Sequence, residues 1–260
     1  MKIAVVGCGW LGLPLASSLV QKSFEVHGTS RDEEKVLFLK EKGIVSHLLS
    51  SKNFNSIDWL NKVDVLVLNI PPSDFKSIYG EKMLEISNNL KENSKIIFIS
   101  STSVYKNNDS IVDESSDAKG GARNGKNVLE AEQMLQKKWR NNLTIVRMSG
   151  LVGGNRHPAK YMAGKHYKNG DNPVNLIHLE DCCGIIESVI DQGFWGKIVN
   201  GVCEENPSKN EYYTFSAKKL GVEPPVFSDG SGDFKKIDSI ILGNELNYDL
   251  KYKSPYDFPL

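Results

Sequence analysis

From Lys2 to about Ser149, short β-branched runs alternate with amphipathic stretches, the pattern of a parallel sheet covered by helices on both faces. KIAVV predicts a first strand, and LGLPLASSLV supplies the apolar face of a helix from about Leu11 to Gln21. Pro14 falls in the first turn of that helix, where a missing N–H costs little. FEVHGTS predicts a second strand, EEKVLFLKEKG a polar helix stopping at Gly43, and IVSHLL a third strand. VDVLVLNI is apolar almost throughout, as a strand buried on both faces requires, and Pro71 and Pro72 end it. A helix over SIYGEKMLEISNNLK, a strand at KIIFISS, a long polar loop to about Lys126, a helix at NVLEAEQMLQKKWR and a strand at LTIVRMSG follow. After Leu151 the rhythm gives way to loops, interrupted by a strand at VNLIHL, a helix at EDCCGIIESVID, a strand at GKIVNGV and a helix around EYYTFSAKKLG. The fold class predicted is a doubly wound α/β sheet with a small C-terminal lobe.

Between the first strand and its helix lies VVGCGWLG, which sets Gly7, Gly9 and Gly12 in G-x-G-x-x-G spacing. In a Rossmann βαβ unit, Gly7 permits the tight turn, Gly9 lets backbone approach a pyrophosphate, and Gly12 lets helix pack against strand. The helix N-terminus, entered through Trp10 and Leu11, offers oriented N–H groups to the phosphate charge. Dinucleotide binding is therefore expected, with residues 1–150 as the NAD(P)-binding Rossmann domain. Residues 151–260 are expected to be mainly a substrate-binding lobe, with some segments returning to the sheet. At the end of the second strand the residues are Thr29, Ser30 and Arg31, where an NAD enzyme usually presents a carboxylate to the ribose. A hydroxyl and a guanidinium suit a 2′-phosphate, so NADP is expected ahead of NAD. A one-residue shift would bring Asp32 to the ribose and favour NAD.

Composition narrows the partners. Lys plus Arg balance Asp plus Glu at 32 each in 260 residues, so no basic field points to nucleic acid or to a membrane surface, and a small-molecule substrate becomes the default. No apolar run approaches a membrane span and no basic n-region precedes the first strand, so a cytoplasmic protein, monomer or homodimer, is expected. Cys8, Cys182, Cys183 and Cys203 lack metal-ligand spacing, and the adjacent pair would make a strained disulfide, so structural thiols and no metal are expected.

Together with the glycine loop, ISSTSVY after the fifth strand, VRMSGLVG at the sixth and VNLIHLEDC beyond it resemble the extended and atypical short-chain dehydrogenase/reductase superfamily. The likeness runs over nearly the whole chain, and it is greatest to bacterial epimerase/dehydratase-like members labelled nucleoside-diphosphate-sugar epimerases. The resemblance implies that Ser101 polarises a substrate oxygen, although serines at a strand end also satisfy backbone groups. It further implies a Tyr-x-x-x-Lys helix whose lysine, aligned with Lys126, contacts the nicotinamide ribose, although the same position also suits a surface lysine. In that register Ala122 stands where the proton-transferring tyrosine belongs, so the usual relay is broken. The literal match YMAGK, Tyr161 to Lys165, comes after the sixth strand and reads as a decoy.

Two side chains are candidates for the missing acid. His157, in the loop GGNRHP beside Arg156, has an unperturbed pKa near neutrality, and Tyr105 lies four residues beyond Ser101, though in the family that tyrosine is generally structural. Asp181 in NLIHLED is expected to cap the next helix. Two functions remain: an NADP(H)-dependent oxidoreductase or epimerase-like enzyme for a polar, nucleotide-sugar-like substrate, or a non-catalytic NADP(H)-binding redox-sensing or regulatory protein. A β-hydroxyacid-dehydrogenase-like enzyme would need a mostly helical C-terminal half, which VNLIHL and GKIVNGV argue against.

Overall fold

The computed structural model describes residues 1–50, 57–121 and 124–259. Seven parallel strands form the central sheet: β1 (Lys2–Val6), β2 (Glu25–Ser30), β3 (Val45–Leu48), β4 (Val65–Leu68), β5 (Lys95–Ser101), β6 (Leu143–Met148) and β7 (Ile198–Gly201). Their spatial order is β7-β6-β5-β4-β1-β2-β3, so the chain winds outward from β1 in both directions. Register is fixed by side-chain alternation: Ile3 pairs with Val26 and Val65, and Val5 with Gly28 and Val67. The helices are α1 (Gly12–Gln21), α2 (Glu33–Glu41), α3 (Tyr79–Ser87), α4 (Gly125–Trp139), the short α5 (Pro158–Met162), α6 (Leu179–Gln192) and α7 (Lys209–Lys219).

Because successive strand residues face opposite ways, the two sheet faces have separate cores. Ile3, Val5, Val67 and Ile97 pack with Leu15 and Leu19 of α1 and with Ile185 and Val189 of α6. Ala4, Val6, Leu66 and Phe98 pack with Met83 of α3 and with Leu135 of α4. A third, smaller cluster joins Val152, Leu176, Tyr212 and Phe258 in the C-terminal region. Capping chemistry delimits the helices between the strands. Asp32 caps α2, and Gly43, at φ +76°, lets the chain leave that helix for β3.

Several elements differ from the sequence expectation, most of them through contacts distant in the chain. The fourth strand stops at Leu68, and the expected helix from Ser77 begins as two 3₁₀ turns, Pro72–Asp74 and Lys76–Ile78, because the two prolines withhold N–H groups. The loop before α4 is not without structure. It contains a 3₁₀ turn at Thr102–Val104 and a strand at Ser110–Val112 that pairs in parallel with Lys235–Ile237. Asp181 does not cap its helix. His178 does, accepting the Glu180 N–H, while the fully buried Asp181 carboxylate receives the N–H groups of Lys251 and Tyr252 and the Tyr248 hydroxyl. It thus ties the C-terminal segment onto α6. All four cysteines are free thiols, three of them buried.

Candidate functional site

The carboxyl ends of β1, β2 and β4 meet around the glycine loop, where a crevice is expected in a doubly wound sheet because the crossovers diverge there. A cleft of about 640 Å3 opens there, with Gly7 and Gly9 on its floor, Ser30, Arg31 and Lys35 on one wall, and Asp74 on the opposite one. The loop is pinned from both sides. The Gly7 N–H donates to Thr29 Oγ1 at 2.9 Å, and Asn69 Nδ2 donates to the Gly7 carbonyl at 2.9 Å. Thr29, which also borders the cleft, is buried and gives its hydroxyl oxygen to the loop. Sequence reading missed Asn69, whose role depends on β4 lying beside β1.

The three glycines answer to different requirements. Gly7 has φ +104°, and a Cβ there would lie 2.5 Å from the Asn69 carbonyl oxygen. At Gly12 a Cβ would collide with the Gly7 carbonyl oxygen. Both are needed by the fold itself. Gly9 has no such constraint: its φ is ordinary for any residue, and a Cβ there meets nothing within 4 Å. Open space beside an exposed loop backbone fits a group that must approach that backbone closely, which is the requirement of a dinucleotide pyrophosphate. Leu11 turns its side chain into the core, and Trp10 donates its indole N–H to the Gly153 carbonyl at 3.2 Å, joining the glycine loop to the segment after β6. The Arg156 guanidinium lies 5.3 Å from the Trp10 ring centroid.

On the β2 wall, Ser30 Oγ accepts the Asp32 N–H, and the Asp32 carboxylate accepts the N–H groups of Glu34 and Lys35 at 2.9 and 3.4 Å. Capping thus occupies one Asp32 oxygen, while Arg31 reaches across to Asp74. Lys35, one turn into α2, adds a second cation to this wall that the sequence reading did not include.

On the same carboxyl edge of the sheet, beyond β4, Ser101 ends β5, and its Oγ accepts the Ser103 N–H at 3.1 Å, which leaves the hydroxyl proton free to donate. Lys126 lies in the first turn of α4, exposed, with its methylenes against Gly120. Ala122 lies outside the described residues. Tyr105 and His157, the expected substitutes for the tyrosine, are both built into the interior. Tyr105 is 1% exposed, receives a hydrogen bond from Arg147 at 2.8 Å and donates to Asn200 at 3.0 Å. Burial, despite the neighbouring guanidinium, raises its pKa further. Behind it Arg147 forms a two-pronged ion pair with Glu132 of α4, and Ser100 donates to the same carboxylate at 2.5 Å.

His157 is 3% exposed and caps α5, its Nδ1 accepting the Ala159 N–H, with Nε2 hydrogen-bonded to the Tyr212 hydroxyl at 3.1 Å. Burial first, and Lys160 second, hold its pKa down to about 4. It is thus neutral and engaged at both nitrogens where a general acid is needed. Tyr161 of the decoy motif is 66% exposed. Lys235, missed because KKID reads like any surface run, sends its ammonium to the carbonyl oxygens of Thr102 at 2.8 Å and Tyr105 at 2.5 Å. Burial lowers its pKa to about 8. Among the described residues no group of three His, Cys, Asp or Glu side chains could hold a metal ion, and no helix is long and apolar enough to cross a membrane.

Fold and cleft together define an α/β protein of the architecture used by nicotinamide-dinucleotide enzymes. Residues 2–122 match the family described as the NAD binding domain of 6-phosphogluconate dehydrogenase. The chain belongs to the family of protein YeeZ of Escherichia coli K12, with 34% identity over 271 aligned positions that span 100% of this chain and 99% of that one. Among solved structures, the UDP-glucuronic acid 4-epimerase from Bacillus cereus in complex with NAD superimposes with a TM-score of 0.79 at 18% identity, covering 99% of this chain and 98% of that one. The dTDP-glucose 4,6-dehydratase from Bacillus anthracis in complex with NAD gives 0.80 at 17% identity, with 97% and 92% covered. At these identities the two structures share the fold with this chain.

Proposed function

We propose that this chain is an NADP(H)-dependent oxidoreductase or epimerase-like enzyme of the atypical short-chain dehydrogenase/reductase type, acting on a polar, nucleotide-sugar-like substrate. The observation that carries the reading is Gly9, a glycine that neither backbone conformation nor packing requires, on the floor of the cleft. Residues 1–150 hold the dinucleotide and residues 151–260 choose the substrate, with Trp10 joining the two. Ser30, Arg31 and Lys35 form the wall that meets a 2′-phosphate, and one oxygen of Asp32 is already engaged in capping α2. The substrate class follows the epimerase and dehydratase that share the fold, one named for a UDP-linked and the other for a dTDP-linked sugar.

A nicotinamide dinucleotide, when bound, supplies hydride exchange. Ser101 donates its hydroxyl proton to a substrate oxygen as negative charge develops on it. Lys126 reaches toward the ribose. Lys235 is a positioning residue, its ammonium holding the carbonyl oxygens of Thr102 and Tyr105 in the turn that follows Ser101. A second reading, a binding protein that holds NADP(H) without turnover, is favoured by the alanine at position 122 together with the burial of both expected acids.

Fluorescence titration with NADPH and NADH, on the natural chain and on Gly9→Val, tests the proposal. NADPH is expected to bind at least about tenfold more tightly, roughly 1.4 kcal/mol. The valine variant should melt cooperatively near the natural temperature, because its Cβ has room, yet lose both dinucleotides. Retained binding by Gly9→Val would place the phosphate elsewhere.

A further inference from the structure

Among the described residues two acidic side chains line the cleft, Asp32 and Asp74. Asp32 gives one oxygen to capping α2, whereas Asp74 is the carboxylate paired with Arg31. It stands in the Pro72–Asp74 turn beyond β4, facing the wall of Ser30, Arg31 and Lys35. One guanidinium nitrogen of Arg31 contacts both Asp74 oxygens, at 3.2 and 3.3 Å, an end-on arrangement without the two parallel bonds of a strong arginine–carboxylate fork.

The partners differ in freedom. The Arg31 side chain is 74% exposed, whereas that of Asp74 is 24% exposed. The Asp74 backbone is held as well, since its N–H donates to the Pro71 carbonyl, Phe75 N–H donates to Pro72, and Phe75 itself is buried. Arg31 can therefore swing toward a ligand while Asp74 stays where it is. A 2′-phosphate arriving at Arg31 must break the Arg31–Asp74 pair and then remain near the Asp74 negative charge, whereas a ribose 2′-hydroxyl brings no charge to be repelled.

Resting on the NADP(H) reading above, we propose that Asp74 is a specificity-determining residue acting against the 2′-phosphate: it holds Arg31 across the mouth of the cleft and weakens NADP(H) binding selectively. The consequence is a graded preference between the two dinucleotides, set by one pair on opposite walls.

The test is a double-mutant cycle over Asp74→Asn and Arg31→Gln, with Kd for NADPH and NADH measured by isothermal titration and cooperative melting checked for every variant. Asp74→Ser serves as a second variant at the same position in case the amide disturbs the turn. Removing the carboxylate is expected to tighten NADPH by about three- to tenfold and to leave NADH within about twofold, and the gain should vanish in the Arg31→Gln background. Unchanged or weaker NADPH binding in both Asp74 variants, with Arg31→Gln still costing NADPH selectively, overturns the role of Asp74 and leaves the phosphate wall standing. If Arg31→Gln instead weakens NADPH and NADH alike, the NADP(H) reading itself fails and takes this inference with it. A tenfold loss of NADH on removing the carboxylate also overturns it, by showing that Asp74 receives the ribose hydroxyl.

Discussion

Two regions along the carboxyl edge of the sheet use polar residues in opposite ways. Around Arg31 the charged side chains are exposed or half-buried, and the pair to Asp74 is single-pronged. Around Ser101 the polar groups run inward in a continuous chain, from Ser100 through Glu132, Arg147 and Tyr105 to Asn200 of β7. Asn200 continues it, since its N–H donates to Glu114, which also accepts from Ser239 and Ile240. The first arrangement can exchange its partners for a ligand at small cost, because exposed ion pairs are worth about 0 to 1 kcal/mol. The second cannot, since every member is satisfied inside the protein and each would be left unpaired by moving. Accessible polar groups thus sit beside β2, and around the end of β5 the polar residues mostly build a frame that holds that strand and the helix α4 in register.

Breaking the frame gives the largest effect expected. Glu132→Ala leaves Arg147, 4% exposed, without its countercharge, and should cost about 3 to 5 kcal/mol in urea denaturation. A loss below about 1 kcal/mol would mean that the inner chain is no more rigid than the outer pair. The next largest effect concerns pH. His157 stays neutral to about pH 4 in the folded chain, while an unfolded histidine titrates near 6.5, so the unfolded state binds the extra proton between those values. Stability is full above pH 6.5 and falls as the pH drops toward 4, by up to about 3 kcal/mol from this residue. His157→Asn keeps an acceptor for the Ala159 N–H and should flatten the acid limb of the melting temperature. His47, also held down to about pH 4 by burial and by His27, contributes a remaining slope.

At the scale of catalysis the comparison sharpens. Once a substrate that consumes NADPH is in hand, Ser101→Ala should lower kcat on the order of a hundredfold, the usual worth of one such donor. Tyr161→Phe, at an exposed position, should change it less than about twofold. Equal losses in the two variants would show that the YMAGK helix, and not the end of β5, carries the chemistry.

Much of the frame was legible without coordinates, for reasons that are local. Gly7, Gly9 and Gly12 declare a strand, a tight turn and a helix start within six residues, and the unbroken VLVL of β4 declares a strand covered on both faces. The expectations that failed concern single side chains judged by type. A histidine in a polar loop and a tyrosine near a serine look reactive in sequence, yet Tyr212 and Asn200, fifty-five and ninety-five positions away, bury them.

The sequence by itself determined the order of strands and helices, the glycine loop and the chemical character of the β2 wall, because periodicity, turn chemistry and charge are properties of residues close together in the chain. Tertiary structure alone decided that Gly9 is the glycine the fold does not need, that Asp74 faces Arg31, that Lys235 docks on the turn after Ser101, and that His157 is a cap. Each of these depends on burial or on a backbone brought from a distant segment, and the packing of the two sheet faces is what sets both.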